Sequence, residues 1–426
     1  MRSRVLWRRS ATAAGLYASV GLGIVGSIVA ANVLGKEKFG VFALAMAVAG
    51  FFQILLDLTV EDVLTKVGFR YVAAQEWGKL HRLFAVAARL KLAGGALATL
   101  AILVLAPFAD VIFDGYQITA ALFAVALLPL VQAPENVAST ALLLRSRYDI
   151  RGAYLTFAQG LRLAGIAIGV SFGVVPTILG IVIAQVIAST VVSWGGRRAL
   201  GRFPAAPQAP LTEDRREIID FVARSSVATG VVAGRTALVP VLLGVVAPAA
   251  QVGLLRVAMT PQSGFAAASA PVRLILLTEQ TRDWEHGSRE TVFAGLRRYM
   301  FWSTALMIVA VPIFFAAMGW LIKLFFPAYT DATDAARVIL LAAAIQLIFG
   351  WAKSLPTTIG RPGLRILAHG IETIVLIPLV LILGSRNGVT GAAFAILASS
   401  VVFAAVWVVL LVRLRRQTLE PRTQPA

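Results

Sequence analysis

Apolar residues along this chain gather into twelve stretches, each about as long as a lipid bilayer is thick: 12–33, 40–60, 84–107, 118–144, 153–172, 175–194, 222–246, 251–278, 299–323, 335–355, 366–384 and 389–412. Crossing a hydrocarbon core of about 30 Å takes roughly 20 such residues. In lipid every backbone polar group must be satisfied within its own segment, so each stretch is predicted to be an α-helix. Two of the polar breaks between them stand out. GGRRALGRFPAAPQAPLTEDRREIID, residues 195–220, is basic, contains proline and falls near the midpoint, separating six stretches from six. KVGFRYVAAQEWGKLHRLF, residues 66–84, interleaves aromatic rings with cations and predicts an amphipathic helix lying on the membrane surface. The start, MRSRVLWRRSATAAG, is basic and then apolar like a signal peptide, but it runs directly into a full-length span and predicts an uncleaved first helix.

Charge orients the spans. With a cytoplasmic N-terminus, and with residues within about two turns of a span's cytoplasmic end counted with the adjoining segment, the tails and even-numbered loops carry all but eight of the 39 Lys and Arg residues. The far side carries five, namely Lys36, Lys38, Lys323, Arg337 and Arg386, and three fall inside spans: Arg162, Arg235 and Arg256. This asymmetry predicts that both termini face the cytoplasm. Composition agrees with the spans: 58% of residues are hydrophobic and 14% charged, whereas a soluble domain carries nearer 25% charged residues. The net charge of +18, which in a soluble chain would point to nucleic acid, is here a matter of topology, and no nucleic-acid partner is expected. The absence of cysteine excludes disulfides and thiolate metal sites. His81, His286 and His369 have no ligand spacing, so neither a metal nor another cofactor is expected, and His369, close to a helix start, reads as a membrane-interface residue.

An internal repeat supports a two-part architecture. GVFALAM at 40–46 matches GLLRVAM at 253–259, an offset of roughly half the chain, and each opens the second span of its half. Parallel repeats of six spans each follow, an N-terminal lobe over 1–194, a cytoplasmic linker over 195–221 and a C-terminal lobe with a basic tail over 222–426.

Several segments, in order, resemble one family: ANVLGKEKFGVFALAMAVAGFFQILLDL across the first two spans, QVGLLRVAMTPQSGFAAASAPVRLILL across the eighth, LFFPAYTDATDAARVILLAAA entering the tenth, and TIGRPGLRILAHG with GVTGAAFAILASS in the last pair. The chain resembles the polysaccharide transporters, O-antigen-type flippases of lipid-linked oligosaccharides, within the MOP (MATE-like) superfamily that also holds multidrug exporters and lipid II flippases. That resemblance implies an all-α polytopic membrane protein of about twelve transmembrane helices in two six-helix, MATE-like lobes. It further implies an alternating-access machine of the bacterial inner membrane, taking an undecaprenyl-diphosphate-linked oligosaccharide outward for polysaccharide biosynthesis, with membrane lipids and other polysaccharide-assembly proteins as partners. Two departures are plain. Family members often carry an acid just after the seventh-span arginine, where this chain has RTALV, and lipid II flippases carry arginines in their first spans, where this chain has no charge between Ser10 and Gly35.

A cavity for a diphosphate needs cations at membrane depth, and Arg stays charged there while offering a fork of donors that matches phosphate oxygens. An unpaired guanidinium in mid-bilayer costs roughly 2.5–3.5 kcal/mol, so Arg162, Arg235 and Arg256 each need a partner. The cargo is one candidate. Acids within spans, Glu135, Asp57 and Glu372, are the other, as buried ion-pair partners or coupling groups; Glu135 sits on the span before Arg162, and Asp57 and Glu61 lie near the cytoplasmic end of theirs. No Lys is expected at comparable depth. Gln159, Thr236 and Gln262, with Gln53, Gln132, Asn136, Thr260 and Gln346, would hydrogen-bond either sugar hydroxyls or neighbouring helices. Pro129, Pro134, Pro240, Pro261 and Pro271 are candidate bending points.

Two other classes compete. A polytopic glycosyltransferase or polymerase would need a large outer loop with catalytic acids, whereas every outer loop is about ten residues or shorter and the outer acids are scattered. A cation or drug antiporter of the same fold would favour an embedded acid in a cavity without cations. A P-loop for nucleotide is absent from the sequence.

Overall fold

The computed structural model describes residues 2–56, 58–113, 118–265, 280, 284, 289–353, 355–359, 361 and 363–419, with the backbone alone for residues 2–13, 148, 228, 231–236, 289, 353, 357 and 417–419. All regular structure among them is helical. In order the helices are α1 (Arg2–Leu56), α2 (Val60–Ala73), α3 (Trp77–Leu105), the short α4 (Ala109–Ile112), α5 (Ile118–Val125), α6 (Leu128–Leu144), α7 (Tyr148–Gly169), α8 (Val174–Leu200), α9 (Arg215–Val246), α10 (Ala249–Ala258), α11 (Arg289–Phe325), α12 (Thr333–Ile348), the short α13 (Leu355–Thr358) and α14 (Gly363–Leu419).

Two of these are too long to be single spans. At 1.5 Å per residue, the 55 residues of α1 and the 57 of α14 would each run about 80 Å, more than twice the hydrocarbon thickness. Each contains a break where two predicted spans meet. In α1 it is Gly35, at φ 75°, ψ 172°, a backbone conformation open to glycine and strained for other residues. In α14 it is Asn387 and Gly388, the latter at φ 54°, after which the chain folds back so tightly that a methyl on Gly391 would strike the Leu383 carbonyl. The third predicted crossing corresponds to α3, the fourth to α5 and α6 across a turn at 126–127, the fifth to α7, the sixth to α8, the seventh to α9, the ninth to α11 and the tenth to α12 with the turn after it. The eighth begins as α10, and the part of it beyond residue 265 lies outside the described residues, as do Asp57, Pro271 and His286.

One predicted element is corrected. The amphipathic stretch 66–84 is two pieces: α2 ends at Ala73, Gln75 takes φ 57°, and α3 starts at Trp77 and runs on into the third span. Of the four aromatic rings in this stretch Phe69 is 42% exposed, and Tyr71, Trp77 and Phe84 serve the protein core. Tyr71 is 1% exposed among Leu64, Leu80 and Phe84, and Trp77 stacks on Phe203 with ring centroids 5.6 Å apart.

Packing divides the chain into two compact units, Met1–Gly253 and Leu254–Ala426. In the first unit α9 packs on α1. Within that unit the helices approach along small residues. A methyl on Gly15 would strike Gly152 of α7, one on Gly26 would press on Ile166, and Gly165 and Gly180 join α7 to α8 in the same manner. Association in lipid relies on such close van der Waals contact, because burying apolar surface against apolar lipid gives no hydrophobic gain. Outward faces of the spans are apolar: Ile183 is 60% exposed, Phe301 65%, Ile308 69% and Ile374 72%. In the second unit a ring-rich core of Phe349, Trp351, Phe403 and Trp407 closes the contact of α11 and α12 with α14.

Candidate binding site

Four polar clusters interrupt the apolar packing. The first centres on Glu135 of α6. Gln185 of α8 donates from Nε2 to Glu135 Oε2 at 2.8 Å and to Ser189 Oγ at 3.1 Å, and Gln132 Nε2 donates to Gln185 Oε1 at 3.0 Å. The charge of Arg162, on α7, acts on the same carboxylate. Glu135 and Arg162 are thus near enough to interact through their charges. Gln159, one turn before Arg162, packs its amide on α1, where a methyl on Gly23 would stand 3.0 Å from Nε2. Gln185 is not among the residues singled out by sequence, although a lone amide inside an otherwise apolar span is a signal.

Lys91 was counted with a cytoplasmic loop, and the expectation of no lysine at depth is overturned. It lies in α3, about 20 Å along the helix from Trp77, is 1% exposed, and holds its Nζ 2.9 Å from Glu61 Oε2. Asn136 Nδ2 donates to the other oxygen of Glu61 at 3.4 Å. A lysine buried in a span persists only when paired, and here the pair ties α3 to α2.

The third cluster is in the second unit. Glu372 on α14 is fully buried; His369 Nδ1 lies 2.9 Å from its Oε2, and Gln346 Nε2 of α12 donates to its Oε1 at 3.1 Å and towards Ser400 Oγ at 3.4 Å. His369 was expected at the membrane interface. It is instead 2% exposed and stacks on Phe403 at 4.7 Å, because the one-turn spacing to Glu372 points both side chains into the unit's core.

Arg256 stands apart from these. It occupies α10, about 10 Å from the start of that helix at Ala249, with an exposed side chain that makes no ion pair among the described residues. Thr260 follows one turn later, donating to the Arg256 carbonyl at 3.3 Å, and the enclosed Gln262 Oε1 has no hydrogen-bond partner among the described residues. Arg235 and Thr236 lie on the helical backbone of α9, and their side chains are outside the described residues.

Near the linker, α2 and α3 are bound to residues 213–217 at the start of α9 by charge. Arg70 donates to Glu217 at 2.9 Å and to Asp214 at 3.0 Å, Tyr71 donates to Asp214 at 2.7 Å, and Lys79 reaches Glu76 and Glu213. The Tyr71 hydroxyl, then burial working against it, then Arg70 and Lys79 leave the Asp214 carboxyl below its ordinary value, while burial first and Asp214 second push the Tyr71 phenol up.

The packing of α1 against the α9–α10 junction is as close as backbones allow. A methyl on Gly40 would collide with the Ala249 carbonyl and stand 2.8 Å from Ala250 N, and one on Gly253 would stand 3.1 Å from Gly40 Cα. Gly40 and Gly253 are the first residues of the two repeat copies, GVFALAM and GLLRVAM, so the repeat meets itself at its first position.

No family model matches the chain, and no curated protein matches it. Solved structures match over nearly its whole length. A multidrug resistance MATE family transporter of the MOP superfamily, in an inward-facing conformation, shares 13% identity at TM-score 0.66, covering 99% of this chain and 100% of that one. A mutant of the Vibrio cholerae MATE transporter VcmN shares 11% at TM-score 0.65, covering 98% and 97%. A MOP superfamily transporter from Pyrococcus furiosus, described by the reverse polarity of its binding pocket, shares 11% at TM-score 0.61, covering 98% and 96%. The chain is a polytopic, all-α membrane protein with the fold of these transporters.

Proposed function

We propose that the chain is an alternating-access exporter that moves an undecaprenyl-diphosphate-linked oligosaccharide from the inner to the outer leaflet of a bacterial cytoplasmic membrane. Arg256 carries the reading. A guanidinium inside an apolar helix, exposed and without a carboxylate among the described residues, is costly unless a ligand completes it. Diphosphate oxygens match its donors. Arg235 and Arg162 are the second and third cations, and Gln159, Thr236 and Gln262 the polar contacts for sugar; Arg162 exchanges the Glu135 carboxylate for cargo. The solved relative with a pocket of reverse polarity supports a fold that tolerates a different cargo charge.

Energetics favour an anion. Moving two negative charges outward across a cytoplasm-negative membrane releases about 4.6 kcal/mol per 100 mV, so no ion need be coupled. With both termini cytoplasmic, reporter fusions after residue 386 report outside and after residue 205 inside. Arg256→Ala is expected to insert and fold normally, stop export and leave the lipid-linked glycan on the inner leaflet. Normal export by a stably expressed Arg256→Ala protein refutes the reading. So does accumulation of a hydrophobic cation, rather than a glycolipid, when the chain is deleted; that result favours the antiporter.

A further inference from the structure

The second unit carries a groove that the cargo reading does not use. It lies between the first half of α11 and the end of α14, with a volume of about 730 Å³. Along α11 it is lined by Arg297, Met300, Phe301, Thr304 and Ile308, which follow one another at helical spacing on a single face. From Arg297 to Ile308 that face runs about 16 Å, close to half the hydrocarbon core and so about one leaflet. Arg415, near the end of α14, stands at the same mouth. Both arginines are exposed and neither has an ion-pair or hydrogen-bond partner among the described residues. Below them the wall is apolar and open on the lipid side, with Phe301 65% and Ile308 69% exposed. Glu290, two turns before Arg297 on the same face, adds a carboxylate about 10 Å farther out.

From mouth to floor the groove therefore presents a carboxylate, then two guanidiniums, then one leaflet of apolar wall. We infer that this groove is a resident-lipid site for a zwitterionic phospholipid of the phosphatidylethanolamine type. Its phosphate lies between Arg297 and Arg415, its ammonium faces Glu290, and one acyl chain follows Met300 and Phe301 to Ile308. Guanidinium forks match phosphate oxygens, and the basic end of both helices is the end that the charge asymmetry assigns to the cytoplasmic leaflet. Glu290 disfavours a second negative charge at the mouth, which separates this lipid from a diphosphate cargo.

Native mass spectrometry tests the site on full-length protein in nanodiscs of equal phosphatidylethanolamine and phosphatidylglycerol, released with increasing collision energy. The wild type is expected to retain one phosphatidylethanolamine, the Arg297→Gln/Arg415→Gln double variant to lose it at least tenfold, and Glu290→Gln to retain phosphatidylglycerol equally well. Arg413→Gln, on the same helix but outside the groove, controls for general loss of basic charge and is expected to behave as wild type. The inference is overturned if wild type retains no lipid or prefers phosphatidylglycerol, if the double variant retains the lipid unchanged, or if Arg413→Gln loses as much as the double variant. Melting of each variant in lipid-free detergent separates lost binding from lost folding, and equal melting temperatures are expected.

Discussion

Gly40→Ala adds one methyl group where two helices already touch through their backbones. The new carbon would stand 2.8 Å from Ala250 N, against an ordinary contact of 3.4–4 Å, and it would overlap the Ala249 carbonyl outright. Neither obstacle is a side chain that can rotate aside, so α1 and the α9–α10 junction must part by more than half an ångström. Overpacking of this kind costs roughly 1–3 kcal/mol. If the cost falls on one conformer of an alternating-access cycle, it shifts the balance towards the conformer without the contact by about 5–150-fold. By the charge asymmetry this junction is at the outer face, so the variant is expected to favour an open outer end. Because the chain has no cysteine, Ala249→Cys, at a position 8% exposed, gives a single reporter for a membrane-impermeant maleimide. Labelling from outside should rise at least fivefold when Gly40→Ala is added. Gly50→Ala, on the same helix with nothing within 4 Å, is the control and should leave labelling unchanged. Equal labelling of all three proteins, at equal melting temperature, would refute the idea that this glycine contact closes the outer end.

Three further outcomes follow from the buried polar groups. Glu61→Gln strands the Lys91 ammonium at 1% exposure and is expected to cost roughly 3–5 kcal/mol in thermal unfolding, most of it recovered in Lys91→Met/Glu61→Gln; failure of the double variant to recover would mean that the pair is incidental. Glu372→Ala leaves the Gln346 amide and His369 Nδ1 without their shared carboxylate and should lower stability by about 1–3 kcal/mol, with Glu372→Gln losing less. Asp214 has a depressed folded-state pKa, so its stabilising effect is complete above its ordinary value of 3.8 and is lost as pH falls through the lower folded value. Limited proteolysis of the linker should be slow for wild type at pH 7, begin to rise as pH falls below 3.8 and become fast below the lower folded value, whereas Asp214→Asn should be cut fast already at pH 7.

The spans were legible because lipid demands one pattern, long apolar runs, and no packing detail alters it. Glycines marking the ends of helices could be read as well, since Gly35 and Gly388 fall between spans that the apolar pattern had already separated. The interior was harder. Lys91 and Glu61 lie thirty residues apart on different helices, and an apolar helix with one lysine near its basic end looks the same whether that lysine reaches water or a carboxylate. His369 and Glu372 show a one-turn spacing, but only the arrival of Gln346, Ser400 and Phe403 from elsewhere in the unit decides that the pair is buried. The stretch 66–84 misled because aromatic residues beside cations suit a membrane surface, and Tyr71 and Trp77 instead fill the core beneath the linker.

The repeat separates what symmetry supplies from what function requires. Its two copies touch at Gly40 and Gly253, where each needs the absence of a side chain. Three residues further along each copy the equivalence ends: Ala43 is 7% exposed in the packing, and its counterpart Arg256 is exposed and unpaired among the described residues. Structural need alone would hold both positions small, as it does the glycines, since a guanidinium one turn from a close backbone contact inside an apolar helix adds cost without adding packing. On the proposed function, a repeated scaffold that recognises one diphosphate needs the cation on one copy only. The difference between Ala43 and Arg256 is the place where this chain's chemistry departs from its own symmetry.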